Sequence, residues 1–224
     1  MAVLDRMIYH ALISRQAHLA EGSGMARRYR LDVEPFGASA DDSVKALRDL
    51  AALVPKVGSL VLLQAGQPKI PAGVSIAFEA EGLQMINEQL PTAASTAGIT
   101  ELGAADAADM LELAELTKPG PFLHNTYILG GFIGLRCEGK LIAMAGERFK
   151  VPGFTEVSGV CTHPNHRGKG FAAQLSTVVA HRIAARGETP MLHVIASNTA
   201  ALRLYEGLGF STRCTVTAMA LTRR

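Results

Sequence analysis

Apolar residues recur at helical spacing near the start of the chain, at Leu4, Met7, Ile8, Ala11, Leu12 and Leu19, and predict an amphipathic helix. Asp41-Asp42-Ser43 caps a second helix that runs through Leu53. The period then becomes that of short strands, at Ser59 to Leu63 and Val74 to Phe78, punctuated by Gly66-Gln67-Pro68 and Pro71-Ala72-Gly73. Pro91 to Gly98, PTAASTAG, is small, polar and aperiodic and reads as a linker. It divides the chain into an N-terminal α/β unit, residues 1–97, and a second unit, residues 98–224.

In the second unit, Ile99 to Leu102 predicts a strand and Asp106 to Thr117 a helix. Thr117 to Phe122, TKPGPF, makes a rigid turn stiffened by Pro119 and Pro121. Two strands follow, near Phe132 to Cys137 and Lys140 to Phe149, with Glu138-Gly139 as their hairpin turn. Thr155 to Thr162 is a further strand. It leads into a glycine-bearing turn and a helix whose buried stripe is Phe171, Leu175, Val178, Val179 and Ile183, ended by Gly187. Met191 to Ala196 is a strand, Asn198 to Leu208 a helix closed by Gly209, and Phe210 to Leu221 the last strand. The expected fold class is α/β with a mixed sheet, without an internal repeat.

Composition narrows the classes of function more than the fold. The 224 residues are 48% hydrophobic and 19% charged, as in an ordinary globular protein. A net charge of +2 provides no broad field for nucleic acid or an anionic membrane, so neither is expected as a partner. Asp5 and Arg6 fall where a signal peptide needs its apolar core, and apolar runs such as Leu60 to Leu63 are far shorter than the roughly 20 residues that span a bilayer. A cytoplasmic location is expected. The three cysteines, Cys137, Cys161 and Cys214, fit neither a disulfide framework nor a zinc site. Pro164 interrupts Cys161-x-His163-x-x-His166, and no metal is expected.

Chemistry concentrates between Val160 and Phe210. Around Arg167-Gly168-Lys169-Gly170-Phe171-Ala172 a glycine turn runs straight into a helix, so unpaired backbone N–H groups converge at the positive end of the helix dipole. Such a turn suits a pyrophosphate. A P-loop would need Ser or Thr after its lysine to reach magnesium, and here Gly170 follows Lys169. Gly168-x-Gly170-x-x-Ala173 formally satisfies a dinucleotide fingerprint, but the next strand runs out into Ala196-Ser197 without the carboxylate that would hold a ribose.

The remaining pattern, Arg167-x-x-Gly170-x-Ala172, followed about thirty residues later by NTAALRLYEGLGF, resembles the GNAT superfamily of acetyl-CoA-dependent N-acyltransferases. The resemblance covers roughly Ile99 to Leu221. It implies a GNAT-type fold preceded by an accessory or degenerate N-terminal unit, with acetyl-CoA as cosubstrate. It further implies that the strand before the loop splays from its neighbour and that Val160 and Thr162 hydrogen-bond the pantetheine arm through their backbone. Small residues at Gly168, Gly170 and Ala172 let the backbone approach the diphosphate, beside Arg167, Lys169 and Phe171.

Asn198 and Tyr205 lie seven residues apart, two helical turns, so one extended cofactor can touch both. Asn198 also reads as a helix N-cap. In the family the matching Asn contacts the cofactor and the matching Tyr donates to the departing CoA thiolate. An ammonium acceptor must also lose a proton, and Glu156, which shares alternation parity with Ser158 and Val160 on its strand, is the first candidate base, with Glu147 and His193 as alternatives. The TKPGPF segment shapes the acceptor pocket in the family. The resulting expectation is acetyl transfer to a primary amine of a small acceptor; a catalytically silent CoA-binding module and a dinucleotide-dependent oxidoreductase are the competing readings.

Overall fold

The computed structural model describes residues 2–90, 92 and 95–224. The expected N-terminal helix is broken after its first turn, into α1 (Ala2–Asp5) and α2 (Met7–Leu12), with Leu19 in a separate 3-10 turn, Ala17–Leu19. Arg6 sits at the break in a non-helical conformation, its guanidinium drawn to Asp42 Oδ1 at 2.6 Å and to the Ser39 carbonyl. Next come β1 (Ala20–Glu21), β2 (Ala26–Tyr29) and β3 (Gly37–Ser39), a small antiparallel sheet that the sequence reading did not anticipate. Its strands are too short, and Arg27 and Arg28 too polar, to show an apolar alternation. α3 (Val44–Leu53) starts as expected, with Ser43 Oγ accepting from the Ala46 N–H at 3.2 Å.

β4 (Leu60–Ala65) and β5 (Val74–Ile86) follow. β5 runs eight residues beyond the expected end at Phe78. Part of the expected linker, Pro91, Ala93 and Ala94, lies outside the described residues. Then come β6 (Ile99–Glu101), α4 (Ala107–Thr117), β7 (Ile133–Cys137), β8 (Lys140–Val151), β9 (Phe154–Thr162), α5 (Phe171–Ala184), β10 (Thr189–Ile195), α6 (Thr199–Gly207) and β11 (Ser211–Arg223). These ends agree with the sequence reading to within a few residues. Glu138 and Gly139, both with positive φ, form the β7–β8 turn.

The strands from β4 onward form one mixed eight-stranded sheet, ordered β4-β11-β5-β10-β9-β8-β7-β6. β4 and β5, from before residue 97, are thus hydrogen-bonded into the same sheet as the strands that follow it. β9 and β10 are parallel, with α5 as their crossover. On one face, Leu175, Val178, Val179 and Ile183 of α5 pack on Ile133, Ala143, Leu192 and Val194; Phe171, the first residue of the expected stripe, is half-buried. On the other face, α2, the small sheet and the connection before β3 place Ile8, Leu12, Tyr29 and Phe36 on Phe149, Val151 and Met191. Beside them, Met110 and Leu113 of α4 meet Phe132 and Met144. Adjacent strand residues such as Leu192 and Met191 serve opposite layers, as the pleat requires. Each fully buried aliphatic side chain contributes about 1.5–3 kcal/mol. No helix among the described residues is long and apolar enough to cross a membrane.

Candidate active site

The site begins where two parallel strands part. β9 and β10 pair only at Phe154 with Thr189, Thr155 with Pro190 and Glu156 with Met191. Beyond Glu156, β10 continues on β5, from Met191 against Ile86 to Ile195 against Gly82, while β9 stays on β8. A fork opens between them. Its bend comes from Gly159, at φ 64, where the β8–β9 register slips between Met144 and Gly146. A Cβ at Gly159 would meet Phe132 Cε1 at 2.8 Å, so the position needs glycine both for its backbone and for its packing. The sequence reading missed Gly159, although a glycine inside a strand is a known mark of a bulge.

The fork is one wall of a cleft of about 700 Å³. Val160 and Thr162 line it. His163 donates its backbone N–H to Ile142 O of the β8 side, so by strand alternation Thr162 and Val160 direct theirs into the fork. The Thr162 hydroxyl is buried and has no hydrogen-bond partner among the described residues. At the mouth, Gly168 and Gly170 take positive φ of 76 and 79, and a Cβ on either would project into open space. Gly170 caps α5 without any side-chain bond, and the first N–H to find a helical partner is that of Gln174, bonded to Gly170 O. The N–H groups of Phe171, Ala172 and Ala173 therefore remain for a ligand. Arg167 and Lys169 are exposed beside them.

The opposite wall is α6. Asn198 caps it, its Oδ1 accepting from the Ala201 N–H at 3.2 Å. Asn198 and Tyr205 both line the cleft, with Leu204 and Ala201. Burial first, then the negative charge of Glu156 and the Cys161 sulfur, push the Tyr205 phenol up to about 12. The ring packs edge-on to Phe210. Of the expected residues, Val160, Thr162, Arg167 to Ala172, Asn198 and Tyr205 all border this one cleft.

Glu156 is at the root of the fork and fully buried. Its Oε1 accepts from Arg148 Nη2 at 2.8 Å and faces His193 Nδ1 at 2.7 Å; its Oε2 accepts from Arg148 Nε at 2.8 Å and the Phe149 N–H at 3.3 Å. All four lone-pair sites of the carboxylate are engaged. Burial would raise its pKa, but the Arg148 guanidinium and His193 outweigh it and hold the group at about 2. A carboxylate so held is a weak base, and its surroundings match an anchor better than the proton acceptor expected from its strand parity.

The alternatives are also engaged. Glu147 is buried between Lys150 and Arg186, each at 2.9 Å. His193 lines the cleft, but its Nε2 lies 3.0 Å from Gln84 Nε2. Gln84 Oε1 accepts from Arg213, which turns the amide N–H toward the imidazole; His193 therefore accepts at Nε2 and donates at Nδ1 to Glu156. Arg148, which the sequence reading passed over, is sandwiched between Phe36 and Phe149, 4.9 and 4.5 Å from the ring centroids. Together Arg148, Glu156 and His193 tie β8, β9 and β10 where the fork starts. Thr117 to Pro121 of the TKPGPF turn lie along the cleft as well.

A forked parallel pair, a glycine turn and an uncapped crossover helix define the acyl-CoA N-acyltransferase type of fold. Comparison with known proteins agrees. The model of the FR47-like protein family matches residues 132–219. A protein from Novosphingobium aromaticivorans assigned to the GNAT acetyltransferases has a solved structure with a TM-score of 0.92 and 40% identity, covering 99% of this chain and 98% of that one. A GCN5-related N-acetyltransferase from Kribbella flavida shares the fold, with a TM-score of 0.66 and 18% identity over 97% of this chain and 95% of that one. The mycothiol acetyltransferase of Mycobacterium marinum is 30% identical over 176 residues, 71% of this chain and 54% of the relative. That of Streptomyces avermitilis is 29% identical over 152 residues, 67% of this chain and 47% of the relative. The chain belongs to the GNAT family. It spans about half the length of these curated relatives.

Proposed function

We propose that the protein transfers an acetyl group from acetyl-CoA to a primary amine of a small acceptor by direct attack. The observation that carries this reading is the open fork, which leaves strand N–H groups at Val160 and Thr162 and helix N–H groups at Phe171 to Ala173 facing one cleft. The first set suits the amides of a pantetheine arm, and the second, with Gly168, Gly170, Arg167 and Lys169, suits a pyrophosphate. Asn198 contacts the same cosubstrate from α6.

Tyr205 donates a hydrogen bond to the sulfur as the C–S bond breaks. With its phenol near 12 and a free thiol near 8.5, complete proton transfer is uphill, so stabilisation of developing charge is its role. Glu156 acts indirectly, by fixing Arg148 and His193. Residues 1–97 act as an accessory unit that supplies β4, β5 and one wall of the acceptor side to residues 98–224. The relatives named as mycothiol acetyltransferases support acetyl transfer to a small molecule.

The test is release of free CoA from acetyl-CoA, followed with a thiol reagent, across a panel of small primary amines. Amine-dependent release supports the proposal. Binding of acetyl-CoA without turnover of any amine would instead define a catalytically silent CoA-binding module.

A further inference from the structure

Glu34, in the connection between β2 and β3, is fully buried, and neither of its carboxylate oxygens has a hydrogen-bond partner among the described residues. The Thr126 hydroxyl, which lines the same nook, donates to the Val33 carbonyl at 2.8 Å. An unsatisfied buried carboxylate is costly, and a native structure that retains one calls for an explanation. Glu34 lines a nook of about 10 Å³, the size of one water or one ammonium group, with Phe122, Thr126, Phe132, Ser158 and Gly159. Pro119, Gly120, Pro121 and Arg148 line both this nook and the main cleft, so the two adjoin at the bulge that opens the fork.

The charge balance points the same way. Arg148 from β8 and Glu156 from β9 neutralise each other in a bidentate pair, and Tyr29 from β2 donates its proton to Gln16. Ionised Glu34 would leave the cluster with one uncompensated negative charge. A cation entering from the cleft side restores neutrality.

We infer that the nook is the ammonium subsite of the acceptor and that Glu34 is the group that takes the acceptor's proton. This inference rests on the acetyltransferase reading above. In the step, R–NH3+ and the Glu34 carboxylate become R–NH2 and the Glu34 carboxylic acid. The freed nitrogen lone pair then forms the C–N bond at the thioester carbonyl while the C–S bond breaks and its electron pair leaves on sulfur. The second nitrogen proton, shed as the adduct collapses to the amide, goes to the departing thiolate to give the free CoA thiol, and the acid returns its own proton to solvent before the next turnover. Burial, opposed by Arg148 and assisted by Glu156, raises the Glu34 pKa to about 8, which gives a useful base for an amine.

The experiment compares wild type, Glu34→Gln and Glu34→Asp with the fastest amine of the panel, measuring kcat/KM for that amine from pH 6 to 10 and acetyl-CoA binding by calorimetry. The inference predicts a wild-type limb near pH 8 that Glu34→Gln abolishes, at least a tenfold drop in kcat/KM, and acetyl-CoA affinity within twofold of wild type. Glu34→Asp retains the limb at a displaced pH. If Glu34→Gln also loses acetyl-CoA binding, Glu34→Asp decides: a displaced limb supports the inference and an unmoved one overturns it. Wild-type rate and profile in Glu34→Gln overturn it outright. A flat panel with wild type contradicts the acetyltransferase reading itself.

Discussion

Replacing Glu34 with Gln tests the buried charge apart from any enzyme activity. In the folded chain, burial holds the Glu34 pKa at about 8, against 4.5 ordinarily. Below pH 4.5 the group is protonated in both folded and unfolded states and imposes no penalty. As the pH rises from 4.5 toward 8 the unfolded chain releases a proton that the folded chain keeps, so stability falls by about 1.4 kcal/mol per pH unit. Above 8 both states are ionised and the loss levels off at about 5 kcal/mol, a large share of the 5–15 kcal/mol that typically stabilises a domain. Glutamine resembles the protonated acid in shape and charge, so Glu34→Gln removes this dependence. Urea unfolding of both proteins at pH 5 and pH 8.5 reads the effect as a difference. The two should agree within about 1 kcal/mol at pH 5, and the variant should be several kcal/mol more stable at pH 8.5. Parallel stabilities at the two pH values would show that Glu34 ionises at an ordinary pH and would refute the argument.

Glu156→Gln strands the buried Arg148 and should cost about 3–5 kcal/mol in urea unfolding; adding Arg148→Met should recover much of that loss. Because the Glu156 pKa is depressed to about 2, its contribution is present above pH 4.5 and fades as pH falls toward 2, which acid titration of the wild type against the double variant checks. Gly159→Ala forces a side chain onto positive φ and against Phe132, so it should lower stability by about 1–3 kcal/mol and weaken acetyl-CoA binding by reshaping the fork. Tyr205→Phe should lower kcat by about 10- to 100-fold, the loss of one hydrogen bond to developing charge, while leaving the acetyl-CoA dissociation constant within twofold; an unchanged kcat with chemistry limiting would remove Tyr205 from the reaction.

The residues proposed to hold the cosubstrate, which the structure gathers around one cleft, were legible because their signals are local. Arg167 to Ala172 and Asn198 to Tyr205 sit on a turn and a helix whose glycines, caps and 3.6-residue period are written within a few positions. The proposed acceptor half depends on contacts that span the chain. Glu34 and Arg148 lie far apart in the sequence, and nothing near Glu34 distinguishes a buried carboxylate from a solvated one. Strand parity suggested Glu156 as a base because it takes no account of the residue across the hairpin. Arg148 was within reach of that reasoning: strands joined by Pro152-Gly153 bring it opposite Glu156. β5 was cut short because Ala77 to Glu81 are largely exposed and do not alternate; hydrogen bonds to β11 on one side and β10 on the other sustain the strand.

Central to the account is that backbone N–H groups freed by the fork and by the uncapped start of α5 hold acetyl-CoA. Residue-resolved amide hydrogen exchange with and without acetyl-CoA measures this directly. At a cosubstrate concentration 100 times its dissociation constant, exchange at Val160, Thr162, Phe171, Ala172 and Ala173 should slow by up to about a hundredfold, as expected for about 2.7 kcal/mol of ligand stabilisation. NAD at the same concentration should leave these amides unchanged. Unaltered exchange at all five with acetyl-CoA demonstrably bound would contradict the account.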